Sequence, residues 1–358
     1  METRILPTDH PELLRGVVDE AVRLLAAGEV VALPTETVYG LAADALNAAA
    51  VAKIFEAKER PSFDPLIVHL PHKTDLDTVA DIPEEIAAAV KRLIDRFWPG
   101  PLTLILPKKS VVPDIVTAGL PTVAVRASSN LIFNRIARTL GRPLAAPSAN
   151  RFGSLSPTSA NAVMAELGGR IPLIVDGGAC IHGLESTIVR VENVGESKPR
   201  FVILRPGPIT PDDLKPFGRP FFPGRTKERR HNIDEAADEA VMIEAPGQLP
   251  SHYAPRTPLR LLESPHDFSP EPGKRYALLS YCGEPDDGYL NLTDWVQTFV
   301  LSPGNGKMPE AAVRFFFALR ELDGLGVDEI IAEPIPERGL GIAIMDRLRK
   351  AAAKTHRV

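Results

Sequence analysis

Cysteine is scarce. Cys180 and Cys282 are the only two in 358 residues and stand about a hundred positions apart. That spacing excludes a disulfide framework and a CxxC metal knuckle, and it fits a reducing compartment. No stretch approaches the ~18 consecutive apolar residues of a membrane-spanning helix. The first residues, METRILPTDHPELL, lack the apolar run of a signal peptide. Together these absences lead us to expect a cytoplasmic protein. Charge of one sign is not in excess: 41 Lys and Arg against 46 Asp and Glu give a net charge of −5. Bulk coating of nucleic acid is disfavoured, although a local basic patch remains compatible. Walker A, GxGxxG, GxSxG and HExxH patterns are all missing, so the common nucleotide, hydrolase and metalloprotease readings lose support.

What is present is an ordinary globular composition, 44% hydrophobic and 24% charged, with a length that suggests two domains. Proline is the exception. There are 35, about twice the usual ~5%, and 14 fall between Pro199 and Pro272, where an even spread would place about seven. Proline fixes φ and removes a donor, so this cluster marks a junction between domains.

Periodicity predicts helices over 11–28, from Asn47 through VAKIFEAK, over 83–98, and near 130–140 and 158–167. Short apolar strands are expected at 30–33, 66–70, 102–106, 122–126, 143–146, 172–176, 186–191 and 201–205. The mixture predicts an α/β domain over 10–210 with a twisted sheet of mixed direction. Residues 211–256 read as a Pro, Gly and Arg-rich linker, with an acidic, helix-like stretch (IDEAADEAVMI). Residues 257–358 read as a smaller α/β domain, with strands at 259–263, 276–281 and 328–335 and helices at 309–322 and 340–353.

Four clusters carry possible chemistry, and each has a plain alternative. Pro34-Thr35-Glu36-Thr37-Val38-Tyr39-Gly40 comes directly after a strand and suits a small polar ligand, or is ordinary turn chemistry. Lys58-Glu59-Arg60-Pro61, if extended, points two cations one way toward a polyphosphate, or is a solvated helix end. Ala146-Pro147-Ser148-Ala149-Asn150, with Ser154 and Ser156 nearby, offers phosphate or ribose contacts, or is a polar turn. Gly177-Gly178 and Gly183-Leu184-Glu185-Ser186-Thr187 let backbone N–H groups approach an anion, though a glycine pair is a weak signal. Cys180 reads as packing, because no base is placed for it. Arg225, Lys227, Arg229 and Arg230 form a basic run that reads as a solvated linker face, with weak RNA attraction as the lesser reading.

In order, PTETVYGL, FEAKERPSFDPLIVH, PGPLTLIL, TVAVR, APSAN, GLESTIV and ILRPG resemble the threonylcarbamoyl-AMP synthase family of YrdC-like proteins. The likeness covers roughly 15–210. SHYAPRTPL resembles the linker of that family's long form, and the residues beyond it resemble that form's extra C-terminal domain. The resemblance implies a YrdC-like sheet with a concave, positively charged cavity, joined to a smaller Rossmann-like domain. It implies an enzyme, a nucleotidyltransferase that joins L-threonine, bicarbonate and ATP, with Mg²⁺, into threonylcarbamoyl-AMP and pyrophosphate. A tRNA threonylcarbamoyl-transferase partner would receive the product for tRNA modification. The alternative class is a non-catalytic module that binds RNA or a nucleotide.

Residue by residue, the resemblance places Lys58 and Arg60 on the ATP phosphates, as the catalytic cations. Ser148, Asn150, Ser156, Thr122, Arg205 and the linker tyrosine Tyr253 fall on further ATP-contacting positions, and Asp64 stands near the phosphates. Thr37, His69, Arg126, Ser186 and the backbone at Ala146 fall around threonine. Glu59 replaces a glycine common in the family, and Asp64 replaces an asparagine. No metal ligand is identified. The site cations are expected to be exposed, so that replacing Lys58 or Arg60 would spare the fold. The segment 246–256 is expected to close over the nucleotide.

Overall fold

A computed structural model describes residues 1–193, 195, 198–223, 243–249, 252–304 and 306–353. The basic run at 225–230 and the acidic stretch IDEAADEAVMI lie outside the described residues, apart from its final Ile243.

Eleven strands form the first sheet: β1 (Arg4–Pro7), β2 (Val31–Leu33), β3 (Gly40–Asp44), β4 (Ile67–His69), β5 (Leu102–Pro107), β6 (Thr122–Arg126), β7 (Leu144–Ala145), β8 (Leu173–Asp176), β9 (Thr187–Glu192), β10 (Arg200–Arg205) and β11 (Arg219–Phe221). Their order is β1-β8-β2-β3-β7-β4-β6-β5-β9-β10-β11. Both parallel pairs, such as β4 with β6, and antiparallel pairs, such as β5 with β6, occur, so the sheet is mixed as expected. It runs beyond residue 210, because β11 pairs in parallel with β10.

The helices begin where their caps dictate. Asn47 accepts hydrogen bonds from the Ala49 and Ala50 N–H groups and starts α2 (Ala48–Lys58); Asn130 caps α5 (Leu131–Leu140) in the same way. α1 (Pro11–Ala26) and α5 cover one part of the sheet through Val18, Leu25, Phe133 and Ile136. α2, α3 (Glu84–Phe97), the short α4 (Asp114–Thr117) and α6 (Ala160–Leu167) enclose the larger core.

Strand alternation decides what faces the site. In β4 and β6, Val68, Val123 and Val125 enter the larger core. Ile67 and Ala124 face the other way, and linker residue Ala245 packs on them. His69 and Arg126 share that second face by the period-two rule, and they are direct cross-strand partners.

The second sheet has four strands, Leu259–Leu261, Tyr276–Ser280, Gln297–Val300 and Glu329–Ala332, all paired in parallel. Two further helices, Met308–Asp323 and Gly341–Ala352, complete a Rossmann-like unit. The two units meet tightly. A Cβ at Gly183 would lie 2.4 Å from the Ala312 carbonyl oxygen, so only glycine fits where this loop meets the helix 308–323. Among the described residues no helix is long and apolar enough to cross a membrane.

Candidate functional site

One cavity lies on the sheet face opposite the larger core. Its walls include Thr37, Arg60, His69, Arg126, Ala146, Ser148, Ser186, Arg205 and Tyr253. Six motifs far apart in sequence and the linker tyrosine therefore meet at one place. Lys58, Asp64, Asn150 and Ser156 are buried just behind the wall rather than in it. Thr122 begins β6, pairs with Pro107 and does not line the cavity.

Arg126 sits at the end of β6 with its guanidinium enclosed. Nε donates to the Gly100 carbonyl at 3.2 Å and Nη1 to the Thr37 hydroxyl at 3.0 Å. Nη2 lies 2.7 Å from a Glu36 oxygen. Burial alone would raise the Glu36 carboxyl, but Arg126 and Ser128 outweigh it and bring it to about 2. Burial and the Arg126 charge push His69 down to about 3, so its imidazole is neutral. Cys180 lies beneath this turn with its thiol pushed up to about 12 by burial, which fits packing rather than nucleophilic chemistry.

The second group is cationic. Lys58 is the last residue of α2, and Glu59 then adopts the left-handed conformation, φ 53° and ψ 38°. The extended geometry expected for this segment is therefore corrected: a helix C-cap turns the chain between the two cations. That cap also explains the family's glycine, which enters this conformation without a Cβ penalty. The Glu59 side chain points outward to Arg170 at 2.7 Å, away from the cavity.

Lys58 Nζ donates to the Ser148 and Asn150 carbonyls, both at 2.5 Å. Arg60 donates to the Asp64 and Pro65 carbonyls and lies 2.9 Å from an Asp64 oxygen. Neither Asp64 oxygen receives an aligned hydrogen bond from the described residues. Lys58 is 1% exposed and Arg60 8%, so the expectation that these charges are exposed is overturned. Burial, reinforced by Arg60, pushes the Lys58 ammonium well below its ordinary value, and burial raises the Asp64 carboxyl.

Arg205 arrives by a different route. Alternation along β10 would send it into the larger core with Phe201 and Ile203, but a register shift between Ile203 and Arg205 re-aims it. It donates to the Ser186 carbonyl at 3.1 Å, to the Ser186 hydroxyl at 3.0 Å, and to the Pro246 carbonyl of the linker at 3.5 Å.

The linker forms one wall through Pro246, Gly247, His252 and Tyr253; Pro250 and Ser251 lie outside the described residues. Tyr253 holds φ at 61°, an uncommon conformation for an aromatic residue. Gly247 faces it so closely that a Cβ would lie 2.3 Å from the tyrosine hydroxyl. The buried Arg347 of the C-terminal unit stacks over the Tyr253 ring at 5.2 Å and pairs with Glu185 at 3.1 Å. Glu185 in turn accepts from Ser156, which therefore faces this network instead of the cavity.

Sequence reasoning missed four residues of this site. Glu36 and Glu185 were inside quoted motifs, but their partners lie 90 and 162 positions away. His252 adjoins Tyr253 in the linker motif. Arg347 shares a helical face with Ile344 and Leu348, and a charge on an apolar face was the available signal.

Residues 23–207 match the family model described as Telomere recombination, and residues 209–353 match Threonylcarbamoyl-AMP synthase, C-terminal domain. This chain belongs to the threonylcarbamoyl-AMP synthase family. It is 39% identical over 345 residues to the threonylcarbamoyl-AMP synthase of Pyrococcus abyssi, with 93% of each chain covered. It is 40% identical over 354 residues to that of Bacillus subtilis, covering 97% of this chain and 94% of the relative. The crystal structure of P. abyssi Sua5 complexed with L-threonine superposes with a TM-score of 0.79 at 35% identity, covering 99% of this chain and 98% of that one.

Proposed function

We propose that the cavity is an adenylation site with two binding groups. Arg126, with Thr37, His69, Ser186 and the Ala146 backbone, receives L-threonine. Arg60 and Arg205, backed by Lys58 and flanked by Ser148 and Tyr253, receive ATP. In keeping with its family, the chain joins L-threonine, bicarbonate and ATP into threonylcarbamoyl-AMP. The observation that carries the assignment of groups is the meeting of Arg126 with Arg60 and Arg205 in one cavity.

The chemistry needs no enzyme nucleophile. Condensation of the threonine amine with bicarbonate gives a carbamate and water. A carbamate oxygen then attacks the α-phosphorus of ATP in line, and pyrophosphate leaves. The protein's contribution is positioning and charge neutralisation. Arg126 orients the threonine carboxylate through its guanidinium. His69 is neutral and hydrogen-bonds the substrate without adding charge. Arg60 and Arg205 neutralise the phosphates, and Lys58 fixes the Ser148–Asn150 loop while adding a positive field behind it.

Mg²⁺ would accompany ATP and neutralise phosphate charge. Among the described residues no group of three His, Cys, Asp or Glu side chains is placed to hold a metal. That fits an ion carried by phosphates and water, because Asp64 is paired with Arg60 and lies behind the cavity wall. The linker wall excludes water from the product, a mixed anhydride prone to hydrolysis. A tRNA threonylcarbamoyl-transferase, acting in the cytoplasm, would consume that product.

The test is pyrophosphate release from ATP, Mg²⁺, bicarbonate and L-threonine. Release that depends on threonine is expected, and none would sink the enzymatic reading. Tyr253→Ala should raise ATP hydrolysis relative to product yield, and unchanged coupling would remove the role given to the linker wall.

A further inference from the structure

Glu36 touches no part of the cavity, yet it is 2% exposed and held at both ends. Its backbone carbonyl accepts from the His182 N–H at 3.0 Å. Its carboxylate accepts from the Ser128 hydroxyl at 2.5 Å and from the Ser129 N–H at 3.1 Å. The turn that carries it is built by Thr35, whose hydroxyl accepts from the Thr37 and Val38 N–H groups at 3.1 and 3.2 Å. The turn presents Thr37 to the cavity and sends Glu36 behind Arg126.

The result is a guanidinium fixed on three sides, by a carbonyl at Nε, a hydroxyl at Nη1 and a carboxylate beside Nη2. The Nη2 contact is close at 2.7 Å, but neither of its N–H bonds is aligned on an acceptor among the described residues. Arg126 therefore has a buried donor still to be satisfied, next to a cavity.

We propose that Glu36 is a positioning residue for threonine recognition: it holds the plane of Arg126 so that Nη2 offers its free N–H to the substrate carboxylate. A buried guanidinium with no counter-charge is costly, and a flexible one must be ordered at each binding event. Glu36 removes both costs before threonine arrives. It acts as a fixed charge and takes no proton from the substrate amine, because Arg126 and Ser128 hold its carboxyl too acidic for that. The inference rests on the reading that threonine binds at Arg126.

The experiment is steady-state kinetics on the full chain, with threonine and ATP varied separately. Glu36→Gln keeps the size and the hydrogen-bond acceptor but loses the charge. It should raise KM for threonine roughly tenfold, the scale of one charge-assisted hydrogen bond, while KM for ATP stays within about twofold. Glu36→Asp should recover part of that loss. A merely structural role would move both KM values together, or only the melting temperature, and would overturn the proposal. If Glu36→Gln fails to fold, Ser128→Ala loosens the same carboxylate and should raise KM for threonine about threefold; an unchanged value there overturns the proposal equally. Arg126→Lys separates the two layers. If it leaves KM for threonine unchanged, the placement of threonine is wrong. If it raises KM while Glu36→Gln does not, only the role of Glu36 fails.

Discussion

The two groups in this cavity handle charge in opposite ways. Around Arg126 the charges balance: one guanidinium faces one ionised carboxylate, and the neighbouring imidazole is neutral. Around Arg60 they do not. Lys58, Arg60 and Arg205 are buried together, and among the described residues the one carboxylate paired with Arg60 is Asp64, whose ionisation burial disfavours. His252 joins this group with its pKa pushed well below normal by burial and by the cations Arg60 and Lys58. A zwitterionic amino acid fits the balanced group. A polyanion fits the unbalanced one, because only added negative charge relieves it.

The largest effect that tests this contrast is expected at Arg60. Its removal leaves Asp64 buried without a partner, so Arg60→Ala should cost about 3 kcal/mol of stability as well as ATP turnover. Adding Asp64→Ala should restore most of the melting temperature but not the turnover. If Arg60→Ala alone melts like the native chain, the pair is not the strained element of the cationic group.

An intermediate effect concerns pH. The Glu36 carboxyl lies near 2 in the fold against 4.5 in an unfolded chain. Its contribution is therefore complete above about pH 4.5 and is lost as pH falls toward 2. Glu36→Gln should flatten that part of the acid-unfolding curve. Neither Glu36 nor His69 titrates between pH 5 and 8, so KM for threonine should be level across that range. A limb near pH 6.5 would mean that His69 is not a neutral group.

The smallest effect is expected at Glu59. Its left-handed conformation costs an L-residue about 1 kcal/mol, which Glu59→Gly removes. The exposed pair with Arg170 offsets part of this gain. A rise of a few tenths of a kcal/mol in denaturant unfolding, with unchanged kinetics, would place Glu59 outside the phosphate group.

Much of this contrast was legible in the sequence because the deciding patterns are local. Asn47 marks its helix by capping chemistry, and TVAVR alternates cleanly, so Arg126 was assignable to a strand face. Other features depend on distant neighbours. The strand Gly40–Asp44 escaped notice because all five residues are buried, leaving no alternation to read. Arg205 faces the cavity only through a register shift. Lys58 and Arg60 were legible as a pair, but their burial was not, because the carbonyls that enclose Lys58 lie 90 and 92 residues away. Motif spacing thus located the charges without telling which were already compensated.

That difference in compensation is the central claim, and proton uptake on ATP binding tests it most directly. Calorimetry at pH 8, in two buffers of different ionisation enthalpy, counts the protons taken up when MgATP binds. Burial and Arg60 lower the Lys58 pKa, and the arriving phosphates should raise it again, so binding should draw protons in, an uptake that Lys58→Met reduces. Binding with no proton uptake, or uptake unchanged in that variant, would mean that the phosphates bring Lys58 no relief and would contradict the claim.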